Sequence, residues 1–420
     1  MLMLILFWTD PLNITNMDIP VREHDAVMDK NGDIHVVFTA GVEWNEIDLY
    51  YVRTINGDWQ DVEMLHNSSL SVSCPTIGID TCGFPHIVWI DWISDSDANL
   101  YYMYRDSSGW STPENLTNEF GLSYTGTCDI VVGRDNSIHV VFSDRYELYY
   151  TEKRDSSWST PVNLSQNQQG VDHFPSIACS DRGVFVAWGN DPGVEDIFYS
   201  YRDSSGWHGP INISNTPDTI SRYVSINVDR NGDPIVAWEE GHDRYPCFNR
   251  EPWDNPEIIL EELCTYPDVY ADNENRPHVI ATFPPFGDPQ LRDVVLTDSG
   301  WVYEVIPDGD VWEPTHPKVV MDSIVHILFQ AKYSSDADID IYYIREGSSG
   351  VSEVSRNTGS LISMGLLRMY GEDTWRVYDL SGKYMKSVTP VNGYIRLNVE
   401  TGIYFLINNR NRIKRVLVIR

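Results

Sequence analysis

The chain has 420 residues, 42% of them hydrophobic and 12% aromatic, and carries a formal net charge of −32. Such a polyanion repels nucleic acid and anionic membranes before contact, which leaves cations and neutral or basic ligands as the classes to consider. The apolar content suffices for a packed core, and no run approaches the ~20 apolar residues that cross a bilayer.

From the N-terminus, Met1 to Phe7 is apolar, with no basic residues ahead of it and no small-residue cleavage site behind it. It reads poorly as a signal peptide, and a start codon that omits the true signal would account for it. Trp8-Thr-Asp-Pro-Leu-Asn-Ile-Thr15 follows, and it matches a segment that recurs later at Trp110-Ser-Thr-Pro-Glu-Asn-Leu-Thr117.

The body of the chain is a repeat. An apolar strand, an Asp/Asn/Gly turn and a strand ending in Phe or Trp run through Asp29 to Phe38. The same pattern returns at Asp80 to Trp89, Arg134 to Phe142, Ser180 to Trp188, Asp229 to Trp238, Asp272 to Ala281 and Met321 to Phe329, which makes seven copies. The spacing of His35, His86, His139, Phe185, Ile235, His278 and His326 gives a period of about 48 residues, within the range of four-stranded propeller blades. A third strand carries Tyr50-Tyr51, Tyr101-Tyr102, Tyr149-Tyr150, Phe198-Tyr199 and Tyr342-Tyr343, and a fourth begins at Trp59, Trp110, Trp158, Trp207, Trp253 and Trp301. Alternation with period two, rich in β-branched and aromatic residues, excludes a helical solenoid. The last repeat has Val351 where tryptophan is expected. The Trp8 segment therefore reads as a strand that completes the final blade and removes an exposed sheet edge.

Loop lengths orient the ring. Turns between first and second strands (Asp29 to Asp33, Asp229 to Asp233) and between third and fourth strands (Asp106 to Gly109, Asp203 to Gly206) are tight. The opposite face carries longer connections, such as Thr39 to Ile47, Asp91 to Asn99, Gly189 to Asp196 and Glu239 to Tyr245, and function is expected there.

On that face Arg22, Arg145, Arg222 and Arg244 offer guanidinium forks for a carboxylated sugar, with ion pairing to local acids as the plainer reading. The acids Glu43, Asp91, Asp95, Asp144, Glu195, Glu239 and Glu240 could include the carboxyl pair that glycosidic hydrolysis needs, and solvated loop charge is the alternative. Trp44 and Trp92 fall in long loops and are candidates for stacking on a sugar ring. His242 lies among them. The histidines at 35, 86, 139, 278 and 326 recur at one position and read as packing. The sequons at Asn13, Asn115, Asn163 and Asn212 recur likewise and are explained by the repeat. Asp29-Lys-Asn-Gly-Asp33 has a loose calcium-loop pattern, but Asn-Gly alone accounts for a hairpin turn, so no cofactor is expected and calcium is the one metal to consider. The six cysteines have no metal spacing; Cys247 and Cys264 flank adjacent repeats and are the one pair placed to meet, and the others read as buried apolar side chains.

Asp106-Ser-Ser-Gly-Trp110, Asp203-Ser-Ser-Gly-Trp207 and Asp298-Ser-Gly-Trp301 stand where BNR-repeat propellers carry their Asp-containing turn, and the repeat region resembles those sialidase-like propellers of secreted bacterial proteins. No Arg-Ile-Pro segment, which carries the first substrate arginine of true sialidases, occurs near the N-terminus, so binding is expected ahead of catalysis. Val377-Tyr-Asp-Leu-Ser-Gly-Lys383, Gly402-Ile-Tyr-Phe-Leu406 and the basic ending Lys414 to Arg420 resemble the type A C-terminal sorting domain of the type IX secretion system. That resemblance implies passage across the outer membrane by the secretion machinery and an extracellular or cell-surface location.

The sequence thus predicts an all-β chain. Residues 1–16 form the apolar start and closing strand, 17–357 a seven-bladed β-propeller of four-stranded blades, 358–366 a linker, and 367–420 a small β-sandwich-like sorting domain. The expected function is binding of carbohydrate or a surface glycoconjugate through the long-loop face. A sialidase-like glycoside hydrolase is the alternative, and a protein–protein scaffold the third reading.

Overall fold

The computed structural model describes residues 7–347 apart from 95–96, 118–121, 124–125, 145, 167–169, 192–193, 217, 254–255, 285–288, 308 and 310. Beyond these it describes residues 366–368, 374–379, 383–389, 394–396, 402–407 and 413–418. The described residues form strands and turns without a helix. They separate into two compact units, Met1–Gly347 and Ser348–Arg420.

The first unit is a ring of seven antiparallel sheets, or blades. The first strands of the blades are Val21–Met28, Ser71–Ile79, Cys128–Val132, Val171–Ser180, Ser221–Val228, Thr265–Ala271 and Trp312–Met321. Each touches the first strand of the next blade, and that of blade 7 touches that of blade 1, so these strands enclose a central channel. Second strands lie between neighbouring blades. Ile34–Ala40 and Pro277–Phe283 are buried at every residue. Burial on both faces explains why they read as unbroken apolar runs.

The repeated tryptophan has a repeated job. Trp110 of blade 2 meets Tyr51 of blade 1 edge-on at 5.0 Å, and Trp158–Tyr102, Trp207–Tyr150, Trp301–Phe248 and Trp59–Tyr343 repeat the contact across successive seams. Such edge-to-face pairs add about 0.5–1.5 kcal/mol each beyond the area they bury. Trp253 departs from the expectation that it begins a fourth strand. The chain turns at Arg250–Trp253, and the fourth strand of blade 5 is Glu257–Ile258. The ring of Trp253 still packs on Tyr199 at 4.6 Å.

The seventh blade is completed by the N-terminus. Phe7 and Trp8 pair with Gly347 and Glu346, and Leu12 and Asn13 pair with Tyr343 and Tyr342. The hydroxyl or hydroxymethyl oxygen of Thr117, Ser165 and Ser214 accepts the backbone N–H of Leu100, Leu148 and Ile197, tying the end of each fourth strand to its third. Thr15 does the same for Ile341 of blade 7 at 3.0 Å. The sequon-like motifs are thus strand-end clasps, with Asn13, Asn115, Asn163 and Asn212 capping the turns.

The recurring histidines are also structural. His35, His86, His139 and His326 each place Nδ1 2.6–2.7 Å from a tyrosine hydroxyl of their own blade. In the turn at Asp29, carboxylate Oδ1 accepts the N–H groups of Asn31 and Asp33, and Gly32 takes φ +81°, a hairpin geometry that glycine adopts without cost. Among the described residues no His/Cys/Asp/Glu group is arranged to hold a metal ion.

In the channel, side chains of five first strands reach an amide of the next blade. Asp25 accepts Ile77 N, Asp129 accepts Ile177 N, Ser176 accepts Ile226 N, Ser225 accepts Val269 N and Asp268 accepts Val319 N, at 2.9–3.2 Å. At the seventh seam Lys318 Nζ lies 3.6 Å from Asp25 Oδ1.

The second unit has an antiparallel sheet in the order Tyr384–Val388, Trp375–Asp379, Gly402–Ile407, Ile413–Val418, and a pair formed by Leu366–Arg368 and Tyr394–Arg396. Segments of all three C-terminal motifs are thus neighbours in one sheet. Residues 358–365 of the expected linker lie outside the described residues, and Leu366 is already in a strand.

Candidate functional site at the axial mouth

In five of the seven blades the first strand bulges two residues before the clasping position. The residues there are Glu23, Cys74, Thr127, Phe174, Tyr223, Tyr266 and His316, and the ladder to the second strand shifts register around each of Cys74, Phe174, Tyr223, Tyr266 and His316. These five adopt φ of 47–54°, and four of them are followed by proline. A left-handed residue in a strand turns its side chain out of the pleat, and this seats the ring positions at the end of the channel next to the long loops.

Four consecutive blades place aromatic rings here. Phe174 lies 5.1 Å from Tyr223, Tyr223 5.2 Å from Tyr266, and Tyr266 stacks on His316 at 3.5 Å. Phe174 is 42% exposed, and the other three are half-buried. The cavity they border has a volume of about 280 Å³ and takes lining residues from all seven blades. A larger cleft of about 710 Å³ opens among the tight turns of blades 3 and 4. Its arginines are committed to acids: Arg134 to Asp181 at 2.9 Å, Arg154 to Asp135 at 3.0 Å, Arg202 to Glu152 at 2.9 Å, and Arg182 to Asp233. The axial mouth has the freer surface.

Beside the aromatic arc, blades 4 to 6 bring acids and arginines together. Glu239, fully buried at the end of its strand, accepts Thr265 Oγ1 at 2.8 Å and Tyr266 N at 3.0 Å through Oε1. Its other oxygen faces Arg222 Nε at 3.7 Å and Arg244 Nε at 3.9 Å. Burial pushes the Glu239 carboxyl up, against the pull of these donors and cations. The Arg222 guanidinium also lies 5.7 Å from the centre of the Tyr223 ring. His173 Nε2 sits 3.0 Å from Glu195 Oε1, and burial raises Glu195 to about 7 while it lowers His173. Burial thus disfavours the charged form of both members of the pair, the kind of environment in which acid–base groups are tuned.

Of the residues singled out from sequence, the structure brings Arg222, Glu239, Arg244 and Glu195 to one place. The others go elsewhere. Arg22 donates to the backbone oxygens of Gly41 and Val42 and holds its own loop. Asp91 is buried against His66 at 2.8 Å and Ser68 at 2.6 Å. Trp92 belongs to the strand Pro85–Ser94, and its indole donates to Ser73, so the expected loop at 91–99 is a strand hairpin. Glu240 is taken up by Thr219, Ser221 and Trp238. Trp44 is 85% exposed, His242 is exposed and Asp144 half-buried, and none of the three lines the cavity. Arg145 and Asp95 lie outside the described residues. Sequence reading missed Phe174, Tyr223, Tyr266, His316 and His173. The aromatic-Pro pairs Phe174-Pro175, Tyr266-Pro267 and His316-Pro317 at repeat spacing were the available signal.

None of the six cysteines is bridged to another in this structure. Cys247 packs in the cluster between blades 4 and 5, and Cys264 in the cluster between blades 5 and 6. They face opposite sides of one sheet, so the pairing expected from sequence does not form.

No protein-family model and no curated protein matches the sequence. Solved structures share the fold. A protein of unknown function from Dyadobacter fermentans aligns with TM-score 0.55 and 12% identity over 81% of this chain and 99% of its own. An ulvan lyase of a polysaccharide lyase family, bound to -[GlcA(1-4)Rha3S]-, aligns with TM-score 0.58 and 15% identity over 79% of this chain and 95% of its own. A Trypanosoma rangeli sialidase mutant displaying trans-sialidase activity aligns with TM-score 0.46 and 13% identity over 80% of this chain and 56% of its own. The ulvan lyase is a carbohydrate-active protein, and likeness at such identity shows the fold alone.

Proposed function

We propose that this chain is a carbohydrate-binding propeller that receives its ligand at the axial mouth of the long-loop face. The observation that carries the reading is the arc of Phe174, Tyr223, Tyr266 and His316 on four successive blades, set beside Arg222, Arg244 and Glu239. Rings supply flat apolar area for the C–H face of a sugar, and the charged groups supply directional hydrogen bonds to its hydroxyls or carboxylate. The acidic remainder of the surface favours short or weakly charged glycans over long polyanions. Export to the cell surface or medium by the type IX machinery, with the C-terminal sheet as sorting module, belongs to the same proposal and is supported by the three ordered motifs.

A glycan array probed with the full chain, with and without chelator, tests the reading. Hits that vanish with Tyr223→Ala and Tyr266→Ala are expected, and an array without hits in either condition refutes it. A second reading, cleavage of the bound glycan, is favoured by one observation: a carboxyl near pKa 7 in contact with His173 and close to a second buried glutamate. A product assay on any hit separates the two, because Glu195→Gln would retain binding and abolish product release.

A further inference from the structure

The channel clasps described above cover every seam but one. At the seam between blades 2 and 3 the equivalent residue is Thr76, whose buried hydroxyl makes no such bond to the amide of the next blade. The amide it would have caught, Ile130 N, is held by the side chain of its own neighbour Asp129. Two residues earlier on the same strand stands Cys74, and across the seam stands Cys128, which is buried. Their contacts are reciprocal. Cys74 Sγ lies 3.2 Å from Cys128 N and 3.3 Å from Cys128 O, while Cys128 Sγ lies 3.2 Å from Cys74 O. Each thiol thus reaches the other's backbone, and the two side chains also interact with each other across the seam.

We propose that Cys74 and Cys128 form an inter-blade disulfide, a covalent clasp at the one seam that lacks the polar one. Cys74 lines the cavity and is half-exposed, so a dissolved oxidant meets it first. The oxidant is a low-molecular-weight or protein disulfide. The Cys74 thiolate, having released its proton to solvent, attacks one sulfur of that disulfide, forms a mixed disulfide and expels a thiolate. Cys128 then loses its proton, attacks the Cys74 sulfur and expels the second thiolate. The two cysteines are oxidised by two electrons, and the external disulfide is reduced to two thiols. Burial and the neighbouring thiol keep Cys128 protonated, which makes the second step the slow one. The ring explains the pairing: residues 54 apart in sequence sit side by side because they occupy adjacent first strands.

The test is a peptide map of the full chain after equilibration in a buffer of reduced and oxidised glutathione, with free thiols blocked before digestion. A peptide joining Cys74 to Cys128, two hydrogens lighter than its parts, is the expected result, and it should disappear on reduction. Cys74→Ser should leave Cys128 open to alkylation under denaturing conditions, and Cys247→Ser should leave the bridge in place. Reduction should lower the melting midpoint of the wild type by several degrees and leave that of Cys74→Ser unmoved. A wild-type map in which Cys74 and Cys128 are both alkylated, or joined to other cysteines, overturns the proposal; that map needs no variant to fold.

Discussion

Replacing Thr15 by valine tests whether the N-terminal strand truly locks the ring. The Thr15 hydroxyl accepts the buried Ile341 N–H at 3.0 Å and donates to Asp340 Oδ1 at 2.7 Å. Valine has nearly the same shape and neither function. Asp340 keeps donors from Asn13 Nδ2 at 2.8 Å and Met17 N at 3.0 Å, so its carboxylate is still partnered, whereas Ile341 N has no substitute. Leaving a buried N–H unmet costs about 1–3 kcal/mol, and losing one hydrogen bond to a charged acceptor costs about 1.5 kcal/mol, for a sum of about 3 kcal/mol. The assay is urea unfolding followed by tryptophan fluorescence, with Ser165→Ala as the internal reference, since Ser165 Oγ accepts Leu148 N in a blade whose strands are contiguous. Both variants should lower the midpoint with an unchanged slope. If Ser165→Ala destabilises the chain and Thr15→Val changes its stability by less than about 0.5 kcal/mol, the closing strand is not part of the cooperative ring.

Further outcomes follow from the same contacts. His278 lies 2.9 Å from Asp293 and 3.3 Å from Asp272, and these carboxylates overcome its burial and hold it protonated up to about 9. The raised pKa stabilises the fold fully below about pH 6.5, and the gain is lost as pH rises through 9; relative to His278→Gln, the wild type should lose about 3 kcal/mol in unfolding titrations across that window. Lys318 faces Asp25, with Asp129 and Asp268 also near, inside a channel open to water. Lys318→Met should cost about 1 kcal/mol at neutral pH after allowance for screening. The loss should shrink in mild acid as Asp129, raised to about 7 by burial, takes up its proton, and a loss that persists unchanged in acid would refute the electrostatic account. Tyr266→Ala should weaken any glycan found on the array by about tenfold or more in titration calorimetry, the loss expected for an aromatic anchor, while Trp44→Ala should leave the affinity unchanged.

The sequence by itself determined the architecture. Period-two alternation repeated about every 48 residues admits no packing but stacked sheets, and a fourth-strand signature at Trp8 with none at Val351 dictates a joint between the chain's ends. The His–Tyr pairs and the Asn-x-Ser/Thr clasps were legible as structure because a motif present in most blades serves the blade. Only the tertiary structure decided the site. Arg22 and Arg222 look alike in sequence, yet one ties down its own loop and the other confronts Glu239, and Asp91 and Glu239 part ways in the same manner. Tyr223, Tyr266 and His316 come from three repeats and become one surface because the ring converges on its axis, and Cys74 meets Cys128 for the same reason. Residues on one strand share a face by local geometry, whereas residues at the mouth share a place only through closure, and no spacing along the chain records that distance.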